Sequence, residues 1–136
     1  MHAVDTGRIG ILNHCWCGRV AWLGACHLDF KASILFYGGR VKVGYDDAGT
    51  PPIELAGQIP CPVKGVFGHE DQGLSPADVD DYEVALKNAG VPYGFHRYEG
   101  AGHGFQDSGK PERYREQQSE DAWAKAIGFL DRYLKG

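Results

Sequence analysis

Four short apolar runs punctuate the chain, each stopping at residues that favour a turn. They are Arg8 to Asn13, Ala32 to Tyr37, Pro62 to Phe67 and Tyr93 to Tyr98. Runs this short have strand length, and apolar side chains on both sides of the alternation suit strands covered on both faces. Helix-length stretches separate them. Residues Trp16 to His27 lack proline and place Val20, Leu23 and His27 on one side. Ser75 can cap a helix that Pro76 opens, Asp78 complements and Gly90 ends, with Val79, Tyr82, Leu86 and Ala89 on one face. A last helix is expected from about Ser119 to Leu134, with Trp123, Ile127, Leu130 and Leu134 inward. Residues 38 to 60 carry Gly49-Thr50-Pro51-Pro52 and read as a long irregular connection. Strand-helix alternation of this kind predicts an α/β fold, a parallel sheet joined by right-handed crossovers.

The 136 residues amount to one domain, expected to span 1–136. Apolar residues are 43% and charged residues 24%, a globular balance that argues against disorder. No apolar run approaches the ~20 residues of a membrane helix, and no basic segment followed by an apolar one opens the chain. Fourteen Lys and Arg against eighteen Asp and Glu give a net charge of -4, so nothing favours nucleic acid as a partner. Cys15, Cys17, Cys26 and Cys61 are read as reduced thiols, which places the expected compartment in the cytoplasm.

Three turns carry side chains with chemistry. His14-Cys15-Trp16 joins the first strand to the first helix. A nucleophile on a sharp strand-to-helix turn stands clear of the sheet, and a helix N-terminus favours its thiolate. The Trp16 N–H would point at an oxyanion formed there. Gly68-His69-Glu70-Asp71 closes the third strand, with Asp71 able to orient a histidine or simply to cap the following turn. Gly100-Ala101-Gly102-His103-Gly104-Phe105 follows the fourth strand. Taken singly, each has an ordinary structural explanation. Together they fall at the carboxyl edge of one parallel sheet, where sites form, in the order nucleophile, acid, histidine.

The chain resembles the C-terminal part of the dienelactone hydrolase family. The resemblance rests on Ile9 to Ala21, on Cys61-Pro62-Val63 through Phe67 to Asp71, on Ser75-Pro76, and on Tyr98 to Phe105. It implies a partial α/β-hydrolase fold: about four parallel strands with helices on both faces, lacking the N-terminal strands. It also implies Cys15 as nucleophile, His103 as base and acid, and Asp71 as its partner. The implied activity is hydrolysis of a small-molecule ester or lactone, without metal or organic cofactor. The family's elbow has glycines two before and two after the cysteine; here Asn13 and Cys17 stand there. The family's N-terminal half would supply the strand beside the first one and a second oxyanion donor. The expectation is therefore a fragment, or a subunit completed by another chain, weakly active alone. Its first strand would be an exposed edge open to self-association or to a complementing chain.

Trp16, Tyr37 and Phe105 are candidates for an apolar pocket, with core packing the commoner fate of such rings. Tyr37, Arg40 and Lys42 follow the second strand, where they could meet an anionic group or form a solvated loop. Arg113, Tyr114 and Arg115 read as an exposed helical turn. Two other classes stay open: a non-catalytic interaction module, and a metal site drawing on His14, Cys15, Cys17, Cys26 and His27.

Overall fold

The computed structural model describes residues 3–15, 18–44 and 49–135. Four strands form one parallel sheet in chain order: β1 (Ile11–His14), β2 (Ser33–Phe36), β3 (Val63–Gly68) and β4 (Tyr93–Tyr98). Ile11 pairs with Ser33, Ser33 with Val63, and Val63 with Tyr93, so all four carboxyl ends finish at one edge. The helices are α1 (Gly18–His27), α2 (Pro76–Asn88) and α3 (Glu116–Leu130), the last continued by a π-helical turn over Asp131–Lys135. Residues 38 to 60 are less irregular than expected. They hold a 3₁₀ segment, Pro52–Gln58, tied to α1 where the buried Trp22 indole N–H donates to the Pro52 carbonyl at 2.6 Å.

β2 sits inside the sheet, and its alternation sorts the core into two layers. Leu35 joins Ala21, Trp22 and Ala25 of α1 and Val79, Tyr82 and Leu86 of α2. Ile34 and Phe36 face the other way, against Ala122 and Ala126 of α3. Helices therefore cover both faces. Each large apolar side chain buried this way contributes roughly 1.5–3 kcal/mol before the entropy of ordering it is counted. Before α2, Ser75 Oγ accepts from the Asp78 N–H and the Asp78 carboxylate accepts from the Ser75 N–H, a reciprocal cap.

The helix faces differ in part from expectation. On α1, Val20 and His27 are exposed, and the buried residues are Gly18, Arg19, Ala21, Trp22 and Ala25. On α2, Val79, Tyr82 and Leu86 are buried, but Ala89 is the exposed C-cap. On α3, Ser119, Ala122 and Ala126 are buried, while Trp123 is 38% and Ile127 55% exposed. Leu130 and Leu134 are half-buried beside Gly10. On α3 the small Ala122 and Ala126 take the buried face and the bulkier Trp123 and Ile127 stand outside it, whereas on α1 the bulky Trp22 is itself buried.

Trp123 of α3 stands against His14 at the end of β1. Among the described residues, β1 pairs only with β2. Leu12, on its α3 face, is 36% exposed. The His14 ring stacks on Phe36 at 4.4 Å, with Trp123 tilted against both. Among the described residues no helix is long and apolar enough to cross a membrane.

The tightest backbone contact lies between the start of α1 and the end of β2. A Cβ built on Gly18 would fall 2.0 Å from the Gly38 Cα. Gly18→Ala is expected to destabilise the fold by about 1–3 kcal/mol or more, the range for overpacking. A urea midpoint left unchanged by that substitution would contradict this reading of the contact.

Candidate active site

Cys15 follows the last residue of β1 with φ of 60°, the left-handed region that side chains rarely occupy. The neighbouring loop helps hold it there: the Gly39 N–H donates to the Cys15 carbonyl at 3.3 Å. The turn is sharp because α1 starts almost at once, against Gly38. Asn13, one of the two departures from the glycine pattern, lies within β1 opposite Leu35. Cys17, the other, and Trp16 lie outside the described residues.

Asp71 sits just past β3 with its side chain 1% exposed. Oδ1 accepts from the Gly73 N–H at 2.9 Å and from the Leu74 N–H at 3.0 Å, forming the turn that a capping aspartate makes. Oδ2 lies 2.7 Å from His103 Nδ1. Both expectations for Asp71, turn cap and histidine partner, describe the same carboxylate.

His103 lies in the loop after β4. That loop comes close to the end of β3, where a Cβ on Gly68 would stand 2.4 Å from the Ala101 carbonyl oxygen. The His69 and Glu70 N–H groups donate to the Tyr98 and Ala101 carbonyls at 2.9 and 3.0 Å, fastening the two turns together. Gly104, at φ of 73°, lets the chain reverse just past the histidine. His103 Nε2 then stands 2.8 Å from Cys15 Sγ. Sulfur, imidazole and carboxylate form one continuous line, although 88 residues separate Cys15 from His103 and 32 separate His103 from Asp71.

The electrostatics follow from that line. The hydrogen bond from Asp71 raises the His103 pKa to about 9, Cys15 adds to it, and burial opposes it. Burial pushes the Cys26 thiol to about 11, and that of Cys61 also upward. Burial likewise holds the Tyr37 hydroxyl up to about 12.

Tyr37 and Phe105 are not lining residues of the hollow beside the cysteine. Both are buried, Phe105 completely. The Tyr37 ring meets His103 edge-on at 5.3 Å, and Phe105 meets Tyr37 edge-on at 5.6 Å. They back the imidazole because an aromatic ring this close to the core buries its own surface first. The hollow, about 210 Å³, is lined by Cys15, Gly39, Arg40, Gly73, Leu74 and His103. Gly73 and Leu74 escaped the sequence reading, though their place after Asp71 in a turn was the available signal. A larger and more polar hollow of about 620 Å³, bearing Glu70, Gln72, Glu112 and Arg113, shares Gly73 and His103 with it. A third, about 250 Å³, lies at the amino ends of β3 and β4 beside Lys64 and Phe129, far from the cysteine.

Other residues singled out in the sequence go elsewhere. Lys42 Nζ is held by Asp78 at 3.0 Å and Asp81 at 2.5 Å. Arg115 N-caps α3 and donates to the Gly100, Glu112 and Tyr114 carbonyls. The would-be metal ligands diverge: Cys15 faces His103, Cys26 faces the Leu55 carbonyl at 3.4 Å, and His14 lies on Phe36. Among the described residues no three His, Cys, Asp or Glu side chains gather as a metal would need.

The sequence profile of the dienelactone hydrolase family matches residues 1–134. The chain belongs to that family. A candidate carboxymethylenebutenolidase of Methylorubrum extorquens is 36% identical over 132 residues, covering 95% of this chain and 44% of the relative. One of Synechocystis is 31% identical, covering 97% of this chain and 53% of that protein. Among solved structures, a candidate dienelactone hydrolase of Klebsiella pneumoniae superposes with a TM-score of 0.89 at 28% identity, over 97% of this chain and 55% of its own. The chain thus spans about half the length of the curated relatives it matches, and corresponds to their C-terminal region.

The Asp71 bond makes a titration prediction. The raised pKa means folding holds a proton on His103 that the unfolded chain releases near 6.5. The stability this contributes is full below 6.5 and fades as pH rises through about 9. Asp71→Asn keeps the turn acceptor but removes the charge. The His103 ring resonance in an NMR titration should then move its midpoint from near 9 down toward 6.5. An unmoved midpoint would show that Asp71 is not the cause.

Proposed function

We propose that this chain carries the nucleophile, base and acid of a thiol-dependent hydrolase acting on carboxylic esters or lactones. One observation supports the reading above others: Cys15 Sγ, His103 Nε2 and Nδ1, and Asp71 Oδ2 are joined by contacts of 2.8 and 2.7 Å. Family membership and the names of the relatives agree with a hydrolase. The Cys15 thiolate attacks the carbonyl carbon, and the electron pair moves to oxygen. The Trp16 backbone N–H, one residue past the nucleophile, is the proposed oxyanion donor. As the C–O bond breaks, imidazolium His103 gives its Nε2 proton to the leaving alkoxide. The same nitrogen then takes a proton from water, whose oxygen attacks the thioester and releases the acid and the thiolate. Asp71 accepts from Nδ1–H throughout, fixing the tautomer that leaves Nε2 free to work. No step calls on a metal or organic cofactor, and the cytoplasm, where thiols stay reduced, is the proposed compartment.

The expected result is hydrolysis of p-nitrophenyl acetate with an acetyl group trapped on Cys15 by acid quench and mass spectrometry. Cys15→Ala should abolish both, and Asp71→Asn should lower the rate about 10³- to 10⁴-fold by analogy with loss of a triad acid. Turnover that survives Cys15→Ala would dismiss the reading.

The half-length match and the open side of β1 bear on partners. An edge strand with apolar flanks pairs readily with another chain. We propose that the exposed edge of β1, with Leu12, Trp123 and Ile127 beside it, binds a second copy or a complementing chain. On this proposal the chain alone should be only weakly active. Sedimentation should show association that Leu12→Lys weakens; a wild-type monomer at every concentration tested, alone and with added N-terminal half of a relative, would oppose it.

A further inference from the structure

Lys31, Lys42, Lys125 and Lys135 each pair with an aspartate, which favours their charged form. Lys64 is held differently. It lies half-buried on the α3 face of β3, beside Ile34, with Nζ 3.0 Å from His96 Nε2 and 5.3 Å from the centre of the Phe129 ring. Among the described residues no carboxylate stands within ion-pair distance of it. Asp121, the carboxylate that acts on His96, is already taken by Lys125 and by the Tyr98 hydroxyl. Burial and the neighbouring Lys125 hold the Lys64 pKa below its ordinary value, and burial with Lys64 and Lys125 does the same for His96. An imidazole left unprotonated can accept a proton from the amine beside it. Lys64 also borders the 250 Å³ hollow at the amino ends of β3 and β4. Gly94 pairs with Lys64 across the sheet, and a Cβ there would meet nothing within 4 Å, so space stays open next to the amine. Arg132 lines the same hollow, exposed, over the Tyr133 ring and without an ion pair among the described residues. None of the lining side chains is acidic.

We infer that this hollow is a site of covalent modification, where small acyl phosphates acylate Lys64 while Arg132 holds their phosphate. It lies at the sheet edge opposite Cys15 and does not depend on the hydrolase reading. A lysine amine becomes a nucleophile when it is desolvated or set beside another cation, and Lys64 meets both conditions. Its nitrogen lone pair attacks the carbonyl carbon and forms the C–N bond. The C–O bond to phosphate breaks, and phosphate leaves with the electron pair. The proton lost from Nζ passes to His96 Nε2, and from there to water. An acyl phosphate suits the hollow because a guanidinium pairs with phosphate oxygens through two parallel N–H bonds, and no lining carboxylate repels the anion. The product is an amide, which stays on the chain.

The test incubates the full chain with acetyl phosphate at neutral pH and scores acetylation of each lysine by mass spectrometry. Lys64 should react at least about fivefold faster than Lys31, Lys42, Lys125 and Lys135. Arg132→Gln should lower the Lys64 rate about fivefold with acetyl phosphate, yet leave it unmoved with acetic anhydride, which carries no phosphate. Excess inorganic phosphate should slow the wild-type reaction of Lys64 with acetyl phosphate and spare that with the anhydride. His96→Asn should lower the Lys64 rate with both reagents. The urea midpoint of Arg132→Gln should stay at the wild-type value, because the side chain is exposed and unpaired. Lys64 acetylated no faster than the aspartate-paired lysines overturns the inference. So does an Arg132→Gln chain whose Lys64 reacts with acetyl phosphate at the wild-type rate, or slows equally with both reagents.

Discussion

The carboxylate of Asp71 is the interaction on which the site depends. Burying an ionised carboxylate is costly unless every lone pair finds a donor. Here one oxygen takes two backbone N–H groups of its own turn and the other takes an imidazole. The first oxygen makes the second useful. With the carboxylate pinned by Gly73 and Leu74, Oδ2 has little freedom, and the His103 ring is aimed rather than merely contacted. The same turn supplies two walls of the hollow in front of Cys15, so one side chain fixes both the His103 ring and part of that hollow.

The sheet turns this local order into a site. Three residues distant in the chain come together because parallel pairing brings the ends of β1, β3 and β4 to one edge in matching register. Small residues then remove the obstacles. Gly18 lets α1 start against the β2 loop, and Gly68 lets the His103 loop descend onto the β3 turn. Neither contributes an atom to the proposed reaction, yet a side chain at either place would meet backbone at 2.0 or 2.4 Å and press on the turn that holds Cys15 or His103. A shift on the order of 1 Å in such a geometry costs about 100-fold in rate.

Much of this was legible in the residues. The strands announced themselves as apolar runs of the right length, and β4 falls at Tyr93–Tyr98 as read. The α2 cap was visible because Ser75, Pro76 and Asp78 are local signals acting on neighbouring backbone. Cys15, Asp71 and His103 were singled out through turn chemistry, their order and the family resemblance, and their side chains lie in line at 2.8 and 2.7 Å. What stayed hidden depends on distance between elements. Periodicity gives a helix an apolar side, but packing selects which part of it is buried. On α3 the small Ala122 and Ala126 are buried in place of the larger Trp123 and Ile127. The roles of Tyr37 and Phe105 were hidden likewise: an aromatic residue at a strand end can floor a pocket or brace a catalytic ring. Only the position of His103 shows that these two brace.

Backbone strain draws the site's outline. Among the described residues, three without the freedom of glycine take a left-handed φ: Cys15, Tyr37 and Arg40. They occupy the ends of two adjacent strands, and each such conformation costs on the order of 1–3 kcal/mol. A chain gains nothing for folding by placing all of that cost in one corner. Each strained residue instead presents its side chain to that corner: the thiol toward the imidazole, the phenol ring against the imidazole's flank, the guanidinium at the rim of the hollow. Stability built in the two apolar layers offsets the cost, and those layers reach the corner itself: Leu74 of the first walls the hollow, and Tyr37 of the second lies against His103.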